Sequence, residues 1–313
     1  IRDVERSRGL GDVYKRQVIK NDFLVLPGDN LIEADTIARF VTTKPNSVLV
    51  KRVDNPVRYG VVTIDKGKVK AITEKPREAI SNIVNTGIYA FTTEIFNFIE
   101  AELDIPEVIN KMLAQGYPIS AQETGGTWLD VVYPWDILSL NDAILHQAQA
   151  NLGGTIEAGV SVKGLVSVGE DTVVRSGSYI VGPVVIGRNC DIGPNVCILP
   201  ATSIGDNVVI SSFSEIKNSV VGDDVSIGPG CIIQDSVIDK GCVINGHFTA
   251  ASSQADVEVN GEHHLVNIGA MLGEGCRLGN SIVAQPGVIL GNYSQVLALK
   301  LIEGRLPDKS LIF

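Results

Sequence analysis

"VVIGRNCDIGPNVCILPATSIGDNVVI", residues 184–210, places an aliphatic residue at every sixth position: Ile186, Ile192, Ile198, Ile204 and Ile210. Helices repeat near 3.6 residues and half-buried strands near 2, so neither gives this spacing. Six residues suffice for one short strand and one turn. Three such units then close one coil of a triangular prism, with the aliphatics stacked inward and Gly, Asn and Asp at the corners. The period extends back through Ile180, Val174, Val168 and Val162 to Ile156, and forward to Ile216. It shortens by one residue to Val221, Ile227 and Ile233, and again to Ile238 and Ile244, then resumes at Leu272, Leu278, Ala284 and Leu290. A parallel β-helix over 152–300 is predicted. Residues 245–267 (NGHFTAASSQADVEVNGEHHLVN) break the period and are expected to loop out, and loops on a rigid scaffold are where chemistry tends to sit.

The first half follows a different grammar. Apolar runs at 23–27, 47–53, 59–64, 69–74 and 84–91 read as strands, and 33–43, 93–103 and 105–115 as helices. A further helix is expected from Pro134 to about Ala150, with Pro in the first turn where its missing N–H costs nothing. This is an α/β pattern. The expected organisation is residues 18–133 as the α/β domain, 134–151 as a linker helix and 152–313 as the β-helix. The first 17 residues, IRDVERSRGLGDVYKRQ, are basic and aperiodic, and read as a non-native end.

Composition bounds the function. Of 313 residues, 44% are hydrophobic and 20% charged, which supports a packed core. The formal net charge of −10 argues against nucleic acid as the main partner, and no apolar stretch is long enough to suggest a membrane span. The five cysteines form no CxxC and read as free thiols of a cytoplasmic protein.

Within the first half, FLVLPGDN (23–30) is an apolar run ending in Gly28 and the acid Asp29. Together with RYGVV (58–62), ITEKP (72–76), NTGIYAF (85–91) and TWLDVVYPWDIL (127–138), it resembles the Rossmann-like nucleotidyltransferase domain of sugar-1-phosphate nucleotidylyltransferases. The repeat region resembles the left-handed parallel β-helix of hexapeptide-repeat acyltransferases. The pairing is similar to the bifunctional UDP-N-acetylglucosamine pyrophosphorylase / glucosamine-1-phosphate N-acetyltransferase family in its archaeal form.

That resemblance implies a reaction in which a sugar 1-phosphate attacks the α-phosphorus of an NTP, UTP by analogy, and pyrophosphate leaves. Charge builds on phosphoryl oxygens, so Mg²⁺ and cations are required. By motif match Asp29 and Asp130 are the metal carboxylates; the lesser, local readings are a turn residue beside Asn30 and a helix-entry acid. Tyr59 and Gly60 would let the backbone approach the sugar, Glu74 would accept from its hydroxyls, Lys75 would meet its phosphate, and Asn85 would contact the sugar or its N-acyl group. Arg58 reads as an exposed residue before a turn. The family's glycine-rich triphosphate loop has no counterpart before Asp29. The chain is therefore expected to be truncated at its N-terminus, with a sugar and metal half-site that does not by itself transfer nucleotidyl groups.

The β-helix is expected to trimerise and to take acetyl-CoA as co-substrate. The His-Leu-x-Tyr motif that supplies the acyl-transfer base in many members is replaced by Pro229-Gly230-Cys231-Ile232. His247 is the candidate substitute base, with His263 and His264 behind it, since a neutral imidazole can deprotonate an ammonium nucleophile. The alternative is a β-helix that only assembles the enzyme or binds a regulatory sugar nucleotide.

Overall fold

The computed structural model describes residues 19–99, 104–259 and 261–313. The non-native end expected over residues 1–17 lies outside them. The chain divides into two compact units, one ending at Asp130 and the other beginning at Val131.

The first unit contains β1 (Phe23–Val25), β2 (Asn30–Ile32), α1 (Ala34–Val41), β3 (Ser47–Arg52), β4 (Gly60–Asp65), β5 (Lys68–Glu74), β6 (Ile83–Phe91), α2 (Ile105–Ala114), β7 (Ser120–Thr124) and β8 (Trp128–Asp130). Six of these strands form one mixed sheet, ordered β1-β6-β3-β7-β5-β4, while β2 and β8 pair as a separate ribbon. The central strands read as apolar runs because both faces are covered. Val48, Val50, Val62, Tyr89 and Phe91 pack with Val108, Ile109 and Met112 of α2 on one side, and Leu49, Ile88 and Phe40 on the other. A reciprocal capping box starts α2: Asp104 accepts from Glu107 N, and Glu107 accepts from Asp104 N.

The helix expected over 93–103 is instead a 3-10 turn at Thr93–Asn97 in its described part. Ile95 and Phe98 are both buried at a spacing of three, which matches the three residues per turn of a 3-10 turn.

The second unit opens with α3 (Asp136–Leu145), shorter than the expected 134–150. Asp136 accepts hydrogen bonds from the N–H groups of Val132 and Tyr133, which fixes the entry. Beyond Leu145 the apolar period ends, and the chain turns so that Asn151–Leu152 can pair with Ser167–Val168.

From there three parallel sheets of nine, eight and nine strands wind to Ile312, a β-helix of about nine turns whose strands continue beyond residue 300. Val168, Ile186, Ile204, Val221, Ile238, Leu272 and Leu290 stack along one sheet, and Val174, Ile192, Ile210, Ile227, Ile244 and Leu278 along another. All belong to one buried cluster. Corner residues such as Asn189, Asn195, Asn207 and Asp224 adopt left-handed φ values of 55–60°, a conformation that Asn and Asp tolerate better than other side chains.

The break in the repeat is narrower than 245–267. Thr249–Ala250 still pairs within the coil, and the inserted segment is an antiparallel hairpin of Ser253–Val259 and Glu262–Ile268. Across it the coil closes in register, Ile238 opposite Leu272.

Candidate functional site

Two clusters in the first unit gather the residues singled out from the motifs. The first is the β2–β8 ribbon, in which Asn30 lies directly opposite Asp130, Leu31 opposite Leu129 and Ile32 opposite Trp128. The Asn30 amide donates to Asp130 Oδ1 at 2.7 Å. The ribbon therefore sets Asp130 beside the Asp29-Asn30 pair. Asp29 is exposed and Asp130 half-buried. The ribbon is extended by Glu33, whose Oε1 accepts from Thr127 N at 2.8 Å. The hydrogen bonds from Thr127 hold the Glu33 carboxyl below its ordinary value.

The second cluster sits where β4, β5 and β6 meet. Gly60 is opposite Glu74, and Lys75 N donates to Tyr59 O at 3.1 Å. A Cβ at Gly60 would stand 2.8 Å from Glu74 Oε2 and 3.6 Å from Asn85 Cβ. The glycine is thus what leaves room for the Glu74 carboxylate, while the contact with Asn85 would be an ordinary one. Lys75 holds a φ of 40°, a conformation that costs a side-chain-bearing residue energy.

Asn85 donates to the Tyr89 hydroxyl at 2.5 Å and accepts from Gly87 N at 3.0 Å. Burial raises the Tyr89 phenol well above its ordinary value, partly offset by that bond from Asn85. Gly87, at φ 79°, passes so close to Pro27 that a Cβ there would lie 2.8 Å from Pro27 Cγ. The NTGIYAF and LPGDN motifs are therefore in direct contact, which accounts for the glycine in one and constrains the loop in the other.

Trp128 links the clusters. Its place in the ribbon is opposite Ile32, and its ring meets that of Tyr59 with centroids 5.3 Å apart. Neither Trp128 nor Asn30 stood out from the sequence as a site residue, although both lie inside quoted motifs. The signal for Asn30 was its position next to an acid at a strand start. The Oδ1 of Asn30 and the Nε1 of Trp128 are buried without a hydrogen-bond partner. Among the described residues, no group of three or more His, Cys, Asp or Glu side chains is arranged to hold a metal.

Three of the second unit's four histidines are candidate bases, and they are dispersed. His247 is not in the inserted segment: it occupies a left-handed coil corner at φ 60°, exposed, its ring against Gly230, where a Cβ would meet Nδ1 at 2.7 Å. His263 lies on the hairpin, exposed, 3.1 Å from Asp256. His264 packs on Tyr133 and Trp135, ring centroids 4.2 and 5.7 Å away, with Glu262 Oε2 3.7 Å from its Nε2.

A mixed-sheet domain followed by a hexapeptide β-helix is the architecture of a nucleotidyltransferase with a solenoid partner domain. The family model for nucleotidyl transferases matches residues 12–147, and that for the GMPPB C-terminal domain matches 162–292. The "Bifunctional protein GlmU" of Methanococcus maripaludis strain C5 is 31% identical over 99% of this chain and 79% of its own length. The "Bifunctional sugar-1-phosphate nucleotidylyltransferase/acetyltransferase" of Sulfurisphaera tokodaii is 30% identical over 92% of this chain and 76% of its own. A GlmU protein of Methanocaldococcus jannaschii is likewise 30% identical, over 95% and 76%. The chain belongs to this GlmU-like family of bifunctional sugar-1-phosphate nucleotidylyltransferases.

Proposed function

We propose that the first unit supplies the sugar-phosphate and metal half of a site for UTP-dependent nucleotidyl transfer to a sugar 1-phosphate of the N-acetylglucosamine type, with Asp29 and Asp130 holding Mg²⁺. The observation that carries this reading is the register of the ribbon, which sets Asp130 beside the Asp29-Asn30 pair. The donor set fits the ion: carboxylate oxygens are what Mg²⁺ prefers, and it completes its shell with water and substrate phosphates rather than with a full protein cage. The buried, unpartnered Oδ1 of Asn30 beside Asp130 also suits the shell of a hydrated cation.

When bound, Mg²⁺ would neutralise charge on the phosphoryl oxygens. The chain's own residues do the rest. Glu74 accepts from sugar hydroxyls, and Gly60 keeps the pocket floor open. Asn85 presents its amide edge to the sugar or its N-acyl group. Lys75 lays its ammonium on the sugar phosphate, and Tyr59, braced by Trp128, closes one wall. Direct contact of the NTGIYAF and LPGDN motifs through Gly87 and Pro27 supports their acting as one site.

For the second unit we propose a homotrimeric, cytoplasmic assembly whose β-helix either transfers an acetyl group from acetyl-CoA, with His247 as base, or serves as a non-catalytic binding and assembly module. The dispersal of His247, His263 and His264 favours the module.

The test is titration calorimetry of N-acetylglucosamine 1-phosphate with and without Mg²⁺. Affinity should rise at least tenfold with Mg²⁺ in the parent chain and stay flat in Asp29→Asn. Binding that ignores both the metal and the substitution overturns the assignment.

A further inference from the structure

The second unit contains a cleft that neither the nucleotidyl-transfer nor the acyl-transfer reading uses. Its volume is about 440 Å³, within the range of small-molecule sites. Three stretches of chain wall it: α3, the coil corners at Ala201 and Asn218, and the second strand of the hairpin. Trp135 and Ile268 give it an apolar side, and Ser139, Asp142, Asn218 and Asn267 a polar one.

The walls are fixed independently of any ligand. Asn141, buried in α3, donates to Ala201 O at 2.9 Å and accepts from Ser203 Oγ at 2.5 Å, which pins the helix to the coil corner. Trp135 and Leu138 pack in one cluster with Val257 and Ile268 of the hairpin. Both corners are left-handed, at φ 62° and 42°, and the Asn218 amide donates to Asp235. The coil continues past the hairpin, with Ile238 and Leu272 paired in register across the insertion. What the hairpin adds is the third wall.

The lining selects a ligand class. An indole beside aliphatic side chains accommodates the C–H face of a ring, while a hydroxyl, two carboxamides and a carboxylate match ring hydroxyls. Among the described residues lining the cleft there is no Lys, Arg or His, and Asp142 is the one charged group. A phosphate would meet repulsion from Asp142 and no cation among the described lining residues. We propose that this cleft binds an unphosphorylated sugar ring, with an amine-bearing ring preferred through Asp142.

The chain has two tryptophans, so Trp128→Phe leaves Trp135 as the sole fluorescent reporter at the cleft. This variant of the full chain is titrated with glucosamine, glucose and glucose 1-phosphate. Saturable change in Trp135 emission is expected with glucosamine, several-fold tighter than with glucose, and weakest with glucose 1-phosphate. Asp142→Asn should erase the preference for the amine while keeping glucose binding. Ser139 is exposed, so Ser139→Phe should fill the cleft and abolish the response with an unchanged circular dichroism spectrum. Three outcomes overturn the proposal: no saturable response to any sugar at tens of millimolar, a response that survives Ser139→Phe, or tighter binding of the phosphorylated sugar.

Discussion

Asn30 and Asp130, a hundred residues apart in sequence, face each other across a two-stranded ribbon, with the Asn30 amide 2.7 Å from Asp130 Oδ1. Two short strands, each of three residues, thereby bring the end of the LPGDN segment to the end of the TWLD segment. A shift of one residue in the pairing would turn Asp130 to the opposite face.

Removing Asp130 tests that pairing directly. Asp130→Ala leaves the Asn30 amide without its carboxylate acceptor and should cost about 1–3 kcal/mol of first-unit stability. In Asp130→Asn an amide oxygen can still accept, so most of the stability should return while Mg²⁺-dependent sugar phosphate binding does not. Urea unfolding alongside calorimetry separates the two; equal loss in both variants contradicts it.

Gly60 predicts the reverse split. The nearest atom to an added Cβ is Glu74 Oε2, the far end of a flexible side chain. Gly60→Ala should therefore shift stability by no more than about 1 kcal/mol, yet displace Glu74 and weaken sugar binding tenfold or more. A variant that binds normally would remove Glu74 from the pocket.

The β-helix ladder is intolerant of charge. Ile198 is fully buried between Ile180 and Ile216, and Ile198→Asp places an unpaired carboxylate there at a cost of several kcal/mol. Thermal melts followed by circular dichroism should show loss of the β-helix transition, with Ile198→Val within about 1.5 kcal/mol of the parent.

How much of this was legible in advance depended on whether a pattern or a pairing carried the information. Ile186, Ile192 and Ile198 announce the β-helix because every coil repeats the same burial, so the signal adds along the chain. His247 was misplaced for the same reason: Phe248 and Ala250 fill the inward positions of an ordinary coil, but they are not the aliphatics that mark the period elsewhere. The helix expected over 93–103 is a 3-10 turn in its described part, because an apolar spacing of three puts Ile95 and Phe98 on one face in either conformation and does not tell them apart. Asp29 and Asp130 stood out through their motifs, whereas Asn30 and Trp128 matter through partners across a ribbon or between clusters, and no local pattern encodes those.

Acid should loosen the ribbon. Glu33 has its carboxyl lowered in the folded state by hydrogen bonds from Thr127, so its contribution is present above the ordinary glutamate value of about 4.3 and is lost as pH falls below it. Melting temperature should drop less steeply between neutral and acid pH in Glu33→Gln than in the parent. Identical slopes would assign the acid loss elsewhere.

The central claim is that Asp29 and Asp130 hold a cation against the phosphate of a bound sugar. Its most direct test is ³¹P relaxation of N-acetylglucosamine 1-phosphate in the presence of Mn²⁺ and the full chain. The account predicts strong paramagnetic enhancement that disappears in both Asp29→Asn and Asp130→Asn. Enhancement undiminished by either substitution, or a sugar phosphate that binds without sensing Mn²⁺, would contradict it.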